Sequence, residues 1–196
     1  MNKRIKQRYC SALVICHGKS ELIFVSSLKS NLKLKIEVRA KNNGNNSIQI
    51  TSILDYINGK EFSSITKFKE KFEIEGTKKC LKNFKIFILM DFDELEYTKQ
   101  IKENFLNLSM FKNHWMQPYI VPIYSIKNFD EVMIRAGYLI NTEEKVKSYK
   151  EIFPNGNGDF ERFKQVKRNI SNLSSDYTNL NHFLDYIEQE FKRHNS

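Results

Sequence analysis

The sequence FKIFILMDFDE, residues 84–94, combines the most apolar run of the chain with a cluster of acidic residues. A short apolar run of this kind is typical of a strand buried on both faces, so residues 84–90 predict a central strand of a parallel sheet. Asp91, Asp93 and Glu94 follow at its carboxyl end. Ligands of open α/β sheets bind at that end of the strands. The stretch therefore predicts the centre of the fold and one wall of a site.

A second apolar run, SALVIC at residues 11–16, predicts another buried strand. It is followed by His17, Gly18, Lys19, Ser20 and Glu21. Gly18 permits a tight turn, and Ser20 is a good cap for a helix that reaches about residue 30. If the two strands are neighbours, this loop faces the acidic cluster.

The remaining pattern alternates strands and helices up to residue 125 and then becomes helical. Further strands are predicted at residues 34–40 and 119–124, where Pro122 indicates an edge position or an irregularity. Helices are predicted at residues 47–57, 94–108, 142–153, 159–172 and 180–194, a loop at residues 41–46, a helix or loop at residues 62–82 and a break at residues 154–158. This order predicts an α/β fold with a mostly parallel sheet. We expect a core at residues 8–125 and a helical C-terminal extension at residues 126–196 packed on it.

The composition favours a globular protein that binds polyanions. The 196 residues are 40% hydrophobic and carry a net charge of +9. A basic balance favours contact with nucleic acid, nucleotides or an anionic membrane, and the alternative is a common lysine-rich solvated surface. No apolar run approaches the roughly 20 residues of a membrane helix, so we expect no membrane partner and a cytoplasmic protein. Three scattered cysteines indicate reduced thiols rather than disulfides or a zinc site.

Two chemistries compete at the predicted strand ends. Gly18-Lys19-Ser20 matches the end of a P-loop, but that motif needs a glycine five residues before Gly18, where Leu13 stands. A degenerate P-loop NTPase is thus the weaker alternative. Asp91 and Asp93 form a D-x-D arrangement, whose hard carboxylate oxygens suit Mg²⁺ or Mn²⁺. The structural alternative is that these acids only favour the start of the next helix.

Four segments together resemble the Toprim domain, and within it the RloB-like abortive-infection proteins. They are VICHGKSE at residues 14–21, IEVRAKNNGNNSIQITSIL at 36–54, ILMDFDE at 88–94 and YSIKNFDEVM at 124–133. The resemblance spans most of residues 8–140. It implies a Toprim-like sheet and a metal-dependent nuclease in bacterial anti-phage defence. The family's acidic residue before the glycine is replaced here by His17.

The resemblance also implies roles for particular residues. Catalysis would fall to His17, Glu21, Asp91 and Asp93. Mg²⁺ or Mn²⁺ would be held by Asp91, Asp93, Glu94 and Glu21, with Asp130 and Glu131 as further acidic candidates. Independently of the resemblance, Lys19 at a helix N-terminus and Arg39 and Lys41 near the end of the second strand are predicted to bind the DNA or RNA backbone, with solvated surface lysines and arginine as the alternative. A separate activating protein such as an ATPase is a further expected partner. The alternative is a catalytically silent Toprim module that binds nucleic acid or a partner protein.

Overall fold

A four-stranded, all-parallel sheet forms the centre of the protein, which is described here from a computed structural model covering residues 9–77, 79–93, 98–141, 143–153 and 159–195. The strands are β1 (Ala12–Cys16), β2 (Ile36–Arg39), β3 (Lys85–Asp91) and β4 (Ile120–Ser125). Their order in the sheet is β2-β1-β3-β4. The predicted α/β class is confirmed, and the two most apolar runs of the sequence are the two inner strands.

Helices cover both faces of this sheet. In the described residues they are α1 (Lys19–Leu32), α2 (Ile53–Ile57), α3 (Ile65–Phe72), α4 (Lys99–Leu106), α5 (Phe129–Arg135), α6 (Lys145–Ile152), α7 (Phe160–Ser171) and α8 (Asn181–Asn195). None of them is long and apolar enough to cross a bilayer.

Side chains of the inner strands alternate between two apolar layers. From β1, Ala12, Val14 and Cys16 join a cluster with α1 and the C-terminal helices, whereas Leu13 and Ile15 join a cluster with α2, α3 and α4. Every residue of β1 is buried. Because helices cover both faces of the sheet, water and polar ligands can reach β1 and β3 only at the ends of these strands.

Several predicted helices differ from the structure at their boundaries. Helix α1 begins at Lys19 with Gly18 as its N-cap, so the predicted Ser20 cap is wrong. The predicted helix at 47–57 is a short 3₁₀ turn, Ile50–Ser52, followed by the five residues of α2. Residues 94–97 and 154–158 lie outside the described residues, so the predicted helix start at 94 and the break at 154–158 stay predictions.

The exposed edge of β4 is closed by a loop from the C-terminal part. The Tyr124 N–H donates to Asn179 Oδ1 at 2.8 Å, and Asn179 Nδ2 donates to the Pro122 carbonyl at 3.0 Å. The Thr178 hydroxyl donates to the Tyr124 carbonyl at 2.7 Å. Pro122 lies at the sheet edge as predicted, where its missing N–H costs no ladder bond. Asn179 acts as a short substitute for a fifth strand.

The two ends of the described chain are joined across the sheet. The Tyr186 hydroxyl of α8 donates to the carbonyl of Ser11, 175 residues earlier, at 2.7 Å. The Tyr186 ring lies 5.0 Å from the ring of Phe87 in β3. Helix α8 therefore covers the inner strands directly.

We predict that Asn179→Ala lowers the free energy of unfolding by about 1–3 kcal/mol, because it removes two hydrogen bonds and leaves backbone groups of β4 unpaired. The measurement is urea denaturation followed by circular dichroism. Asn58→Ala is the matched control: Asn58 is exposed after α2, and its loss should change stability by less than about 0.5 kcal/mol. Equal effects of the two variants would contradict the assigned role of Asn179.

Candidate functional site

A polar cleft of about 390 Å³ opens at the carboxyl ends of β1 and β3. From β1 the chain moves to β2 on one side, and from β3 it moves to β4 on the other, so the strand order reverses between β1 and β3. Such a switch point is where open α/β sheets bind ligands. The cleft is lined by His17, Gly18, Lys19, Ser20, Glu21, Gly44, Ser47, Asp91, Asp93, Asn128, Phe129, Asp130 and Lys145.

The connection from β1 to α1 is only two residues long, His17 and Gly18. The Gly18 N–H donates to Glu21 Oε2 at 3.1 Å, which folds the Glu21 carboxylate back over the start of α1. This capping arrangement buries Glu21 and aims it into the cleft. A two-residue connection is too short to wrap a triphosphate, which weighs against the P-loop alternative.

His17 is fixed by a reciprocal contact with Ile48. The Ile48 N–H donates to the His17 carbonyl at 2.8 Å, and His17 Nδ1 lies 2.9 Å from the Ile48 carbonyl oxygen. Because a carbonyl oxygen only accepts, Nδ1 carries a hydrogen, and in the neutral form that keeps this contact Nε2 is the acceptor. His17 is therefore a buried cleft residue with one defined tautomer.

The loop after β2 forms the wall beside His17 through an unusual backbone. Asn42, Asn43 and Gly44 all have positive φ angles, of 47°, 53° and 81°. A Cβ at Gly44 would lie 2.8 Å from the Lys19 Cα, so only glycine permits this approach to the start of α1. Consecutive left-handed residues are costly and are typical of functional sites.

A buried pair of carboxyl groups lies at the bottom of the cleft. Asp91 ends β3 and lines the cleft together with Glu21, and both side chains are buried. Burial raises the pKa of Asp91, and the nearby charges of Glu21 and Asp93 raise it further. Burial also raises the pKa of Glu21, while His17 opposes that shift. Asp91 Oδ1 is buried and has no hydrogen-bond partner.

The other predicted acidic residues divide between cleft and surface. Asp93 lines the cleft from an exposed position, and Asp130 lines it from the start of α5. Glu131 does not line the cleft; it forms an ion pair with Arg135 at 2.7 Å. Glu94 lies outside the described residues.

Of the predicted basic residues, only Lys19 lines the cleft. The Arg39 guanidinium pairs with Glu37 at 3.3 Å and lies over the Phe72 ring at 5.1 Å. Lys41 is exposed at the start of the loop after β2. Arg39, the last residue of β2, and Lys41, in the loop after it, thus do not line the cleft that Lys19 enters.

The cleft fits a divalent cation in its chemistry. Asp91, Glu21 and Asp93 offer hard oxygen donors, and the unpartnered Asp91 Oδ1 is a buried acceptor that a cation would satisfy. Within the described ranges, no three His, Cys, Asp or Glu side chains already stand at coordinating distance. Mg²⁺ commonly keeps several waters, so water and substrate oxygens would complete the shell.

Sequence reasoning missed three polar residues of the cleft: Ser47, Asn128 and Lys145. Asn128 caps α5, its Oδ1 accepting from the Glu131 N–H at 2.9 Å, and the capping pattern of Asn three residues before Glu was a readable signal. Lys145 arrives with α6 from a distant part of the chain, and no local pattern marks it.

No family model matches this chain, and neither a curated protein nor a solved structure matches it.

We predict that Asp91→Asn stabilises the metal-free protein at pH 7. The raised pKa of Asp91 means that the folded protein binds more protons than the unfolded chain once the pH exceeds about 4, so wild-type stability falls as the pH rises. The isosteric amide removes this penalty and should add about 1.4 kcal/mol or more, the equivalent of one pKa unit. Urea denaturation in chelator at pH 5, 7 and 8 measures the effect.

The matched control for this experiment is Asp55→Asn, because Asp55 is exposed on α2. Its pH dependence should equal that of the wild type. A destabilised Asp91→Asn variant with an unchanged pH slope would contradict the buried-acid description of the cleft.

Proposed function

We propose that this protein is a Mg²⁺- or Mn²⁺-dependent Toprim-like nuclease that hydrolyses phosphodiester bonds of DNA or RNA in bacterial anti-phage defence. The observation that supports it most is the buried Asp91 carboxyl group beside Glu21, with an unpartnered oxygen at the switch point of the sheet. Two like-charged buried acids are unfavourable unless a cation neutralises them. The order of the sequence motifs supports the nuclease class.

The metal would be held by Asp91 and Asp93, with Glu21 as the third carboxylate and Glu94 as a further candidate. When bound, such an ion polarises a phosphodiester and lowers the pKa of a coordinated water. His17 Nε2 is the free acceptor of a fixed ring, so it accepts the proton of the attacking water. Lys19, exposed at the start of α1, contacts the phosphate, since a helix N-terminus favours anions.

The second candidate function is a silent Toprim module that binds nucleic acid or a protein without cleavage. The observation that favours it is His17 itself, because an acidic residue stands at this position in the family that the chain resembles. In this case the binding of nucleic acid or a protein would not depend on whether the metal site is retained. The net charge of +9 supports nucleic acid as the ligand in both cases.

We predict that Mg²⁺ or Mn²⁺ stabilises the wild-type protein and supports cleavage, and that Asp91→Ala/Asp93→Ala removes both effects. A cation at 100 times its Kd should add about 2.7 kcal/mol to the free energy of unfolding. The measurements are thermal unfolding with and without chelator, and incubation with supercoiled plasmid, single-stranded DNA and total RNA. Asp55→Asn should behave as the wild type. The proposal would be refuted if the stability of the wild type and its cleavage activity were the same with and without the metal.

We predict that His17→Ala lowers kcat about 100-fold or more while metal affinity, measured calorimetrically, stays within a few-fold. The reason is that the imidazole is assigned to proton transfer. His17→Glu separates the two functions: a nuclease that relies on the imidazole loses activity in this variant. A large gain of cleavage with glutamate would instead identify the natural protein as a silenced enzyme.

A further inference from the structure

A lysine from the C-terminal helices stands in the cleft and is held there. Lys145 is the first residue of α6, and its Nζ lies 2.5 Å from Asp130 Oδ2. It lines the same cleft as Asp91, Asp93 and Lys19. Its side chain is 37% exposed, so it is reachable from solvent. The cleft therefore contains a fixed cation that is part of the protein.

The partner of this lysine is itself fully engaged. The Tyr149 hydroxyl donates to Asp130 Oδ1 at 2.6 Å, and the Tyr149 side chain is completely buried. Burial raises the pKa of Asp130, but contacts with Lys145, Tyr149 and Ser20 outweigh it and hold the pKa below its ordinary value. Asp130 is thus an ionised carboxylate whose two oxygens are both occupied.

The acidic residues of the cleft fall into two sets, which differ in whether a lysine is paired with them. Glu21 and Asp91 form a buried pair without a lysine or arginine partner among the described residues, whereas Asp130 is neutralised by Lys145. A second divalent ion at Asp130 would have to compete with Lys145 and Tyr149, which already contact its two oxygens. The ammonium has three N–H bonds, and the contact with Asp130 uses one of them. The others can reach a phosphate oxygen.

We propose that Lys145, positioned by Asp130 and Tyr149, binds a backbone phosphate of nucleic acid and takes the place of a second metal ion in the cleft. This inference rests on the proposed function for the identity of the ligand. Lys145 is then a substrate-binding residue, while Asp130 and Tyr149 are positioning residues. The cleft combines one divalent ion at Asp91 with one permanent ammonium at Asp130.

The test compares four variants: Lys145→Ala, Lys145→Arg, Tyr149→Phe and the control Lys147→Ala. Lys147 lies two residues further along the same helix and is exposed, pairing with Glu144. Affinity for a fluorescent 12-nucleotide single-stranded DNA, and for the RNA of the same sequence, is measured by anisotropy over a range of salt concentrations. Ca²⁺ replaces Mg²⁺ so that the probes stay intact. Calorimetric titration with Mn²⁺ gives the metal stoichiometry.

Lys145→Ala should weaken binding of at least one probe about 10-fold and lower the log–log salt slope by about 0.7–0.9, the value of one phosphate contact. Lys145→Arg should restore affinity to within about threefold, and Lys147→Ala should change it less than twofold. Tyr149→Phe should weaken binding while leaving the salt slope unchanged, because the charge remains. The wild type should bind one Mn²⁺ per chain.

Three results would overturn the inference: an unchanged affinity and salt slope in Lys145→Ala, two Mn²⁺ ions per wild-type chain, or a wild type that binds neither probe. The proposed nuclease activity is judged separately, by cleavage with Mn²⁺. If Lys145 governs binding but the wild type cleaves nothing, this inference stands and the nuclease proposal fails. If the wild type cleaves nucleic acid but Lys145→Ala binds the probes as tightly as the wild type, the nuclease proposal stands and this inference fails.

Discussion

The site depends on one packing constraint, namely that β1 and β3 lie side by side in parallel and are buried on both faces. Among the described residues this pair can present polar groups only at its strand ends, and the carboxyl ends open into the cleft. Glu21 and Asp91 enter the cleft there at the cost of desolvation and mutual repulsion. A protein keeps such an unfavourable arrangement when the site needs it, and this is the pattern expected of a binding or catalytic centre.

The C-terminal helices complete the cleft as well as cover the sheet. Helix α5 brings Asn128 and Asp130 to the rim, and α6 brings Lys145. The same helices bury Tyr149, whose ring contacts Phe129 with a centroid distance of 5.9 Å. The positions of Asn128, Asp130 and Lys145 are thus set by helices that pack in the core, whereas the loop after β2 supplies Gly44 and Ser47. A description of the C-terminal part as a passive appendage would leave out one wall of the cleft.

The parts of this structure that the sequence reveals are those with a local cause. The apolar runs of β1 and β3 are recognisable in the sequence. The ends of these strands place Asp91, His17 and Lys19 at the same edge of the sheet. Arg39 is the last residue of β2, yet its side chain contacts Glu37 and Phe72 and does not line the cleft, which depends on tertiary packing. The Ser20 cap failed because Glu21 reaches back to Gly18 and the helix begins one residue before Ser20.

Lys145 illustrates the limit of local reasoning, because its partner Asp130 is 15 residues away and meets it only after α6 has packed. Nothing in the residues around Lys145 distinguishes it from the many other lysines of this basic chain. The helix at Phe129–Arg135 lies between these extremes. Asn128 and the acidic residues after it are typical of a helix start. The seven residues of α5 are too few for a clear periodic pattern.

The contact between Tyr186 and Ser11 has a consequence for how the chain is made. A ribosome releases the N-terminal strand first, yet the helix that covers it comes 175 residues later. Until α8 has emerged, nascent β1 and β3 expose the apolar face that α8 will bury, and chains of this kind are prone to misassociation while incomplete. The sheet therefore cannot be fully covered until α8 has been synthesised and has packed on β1 and β3.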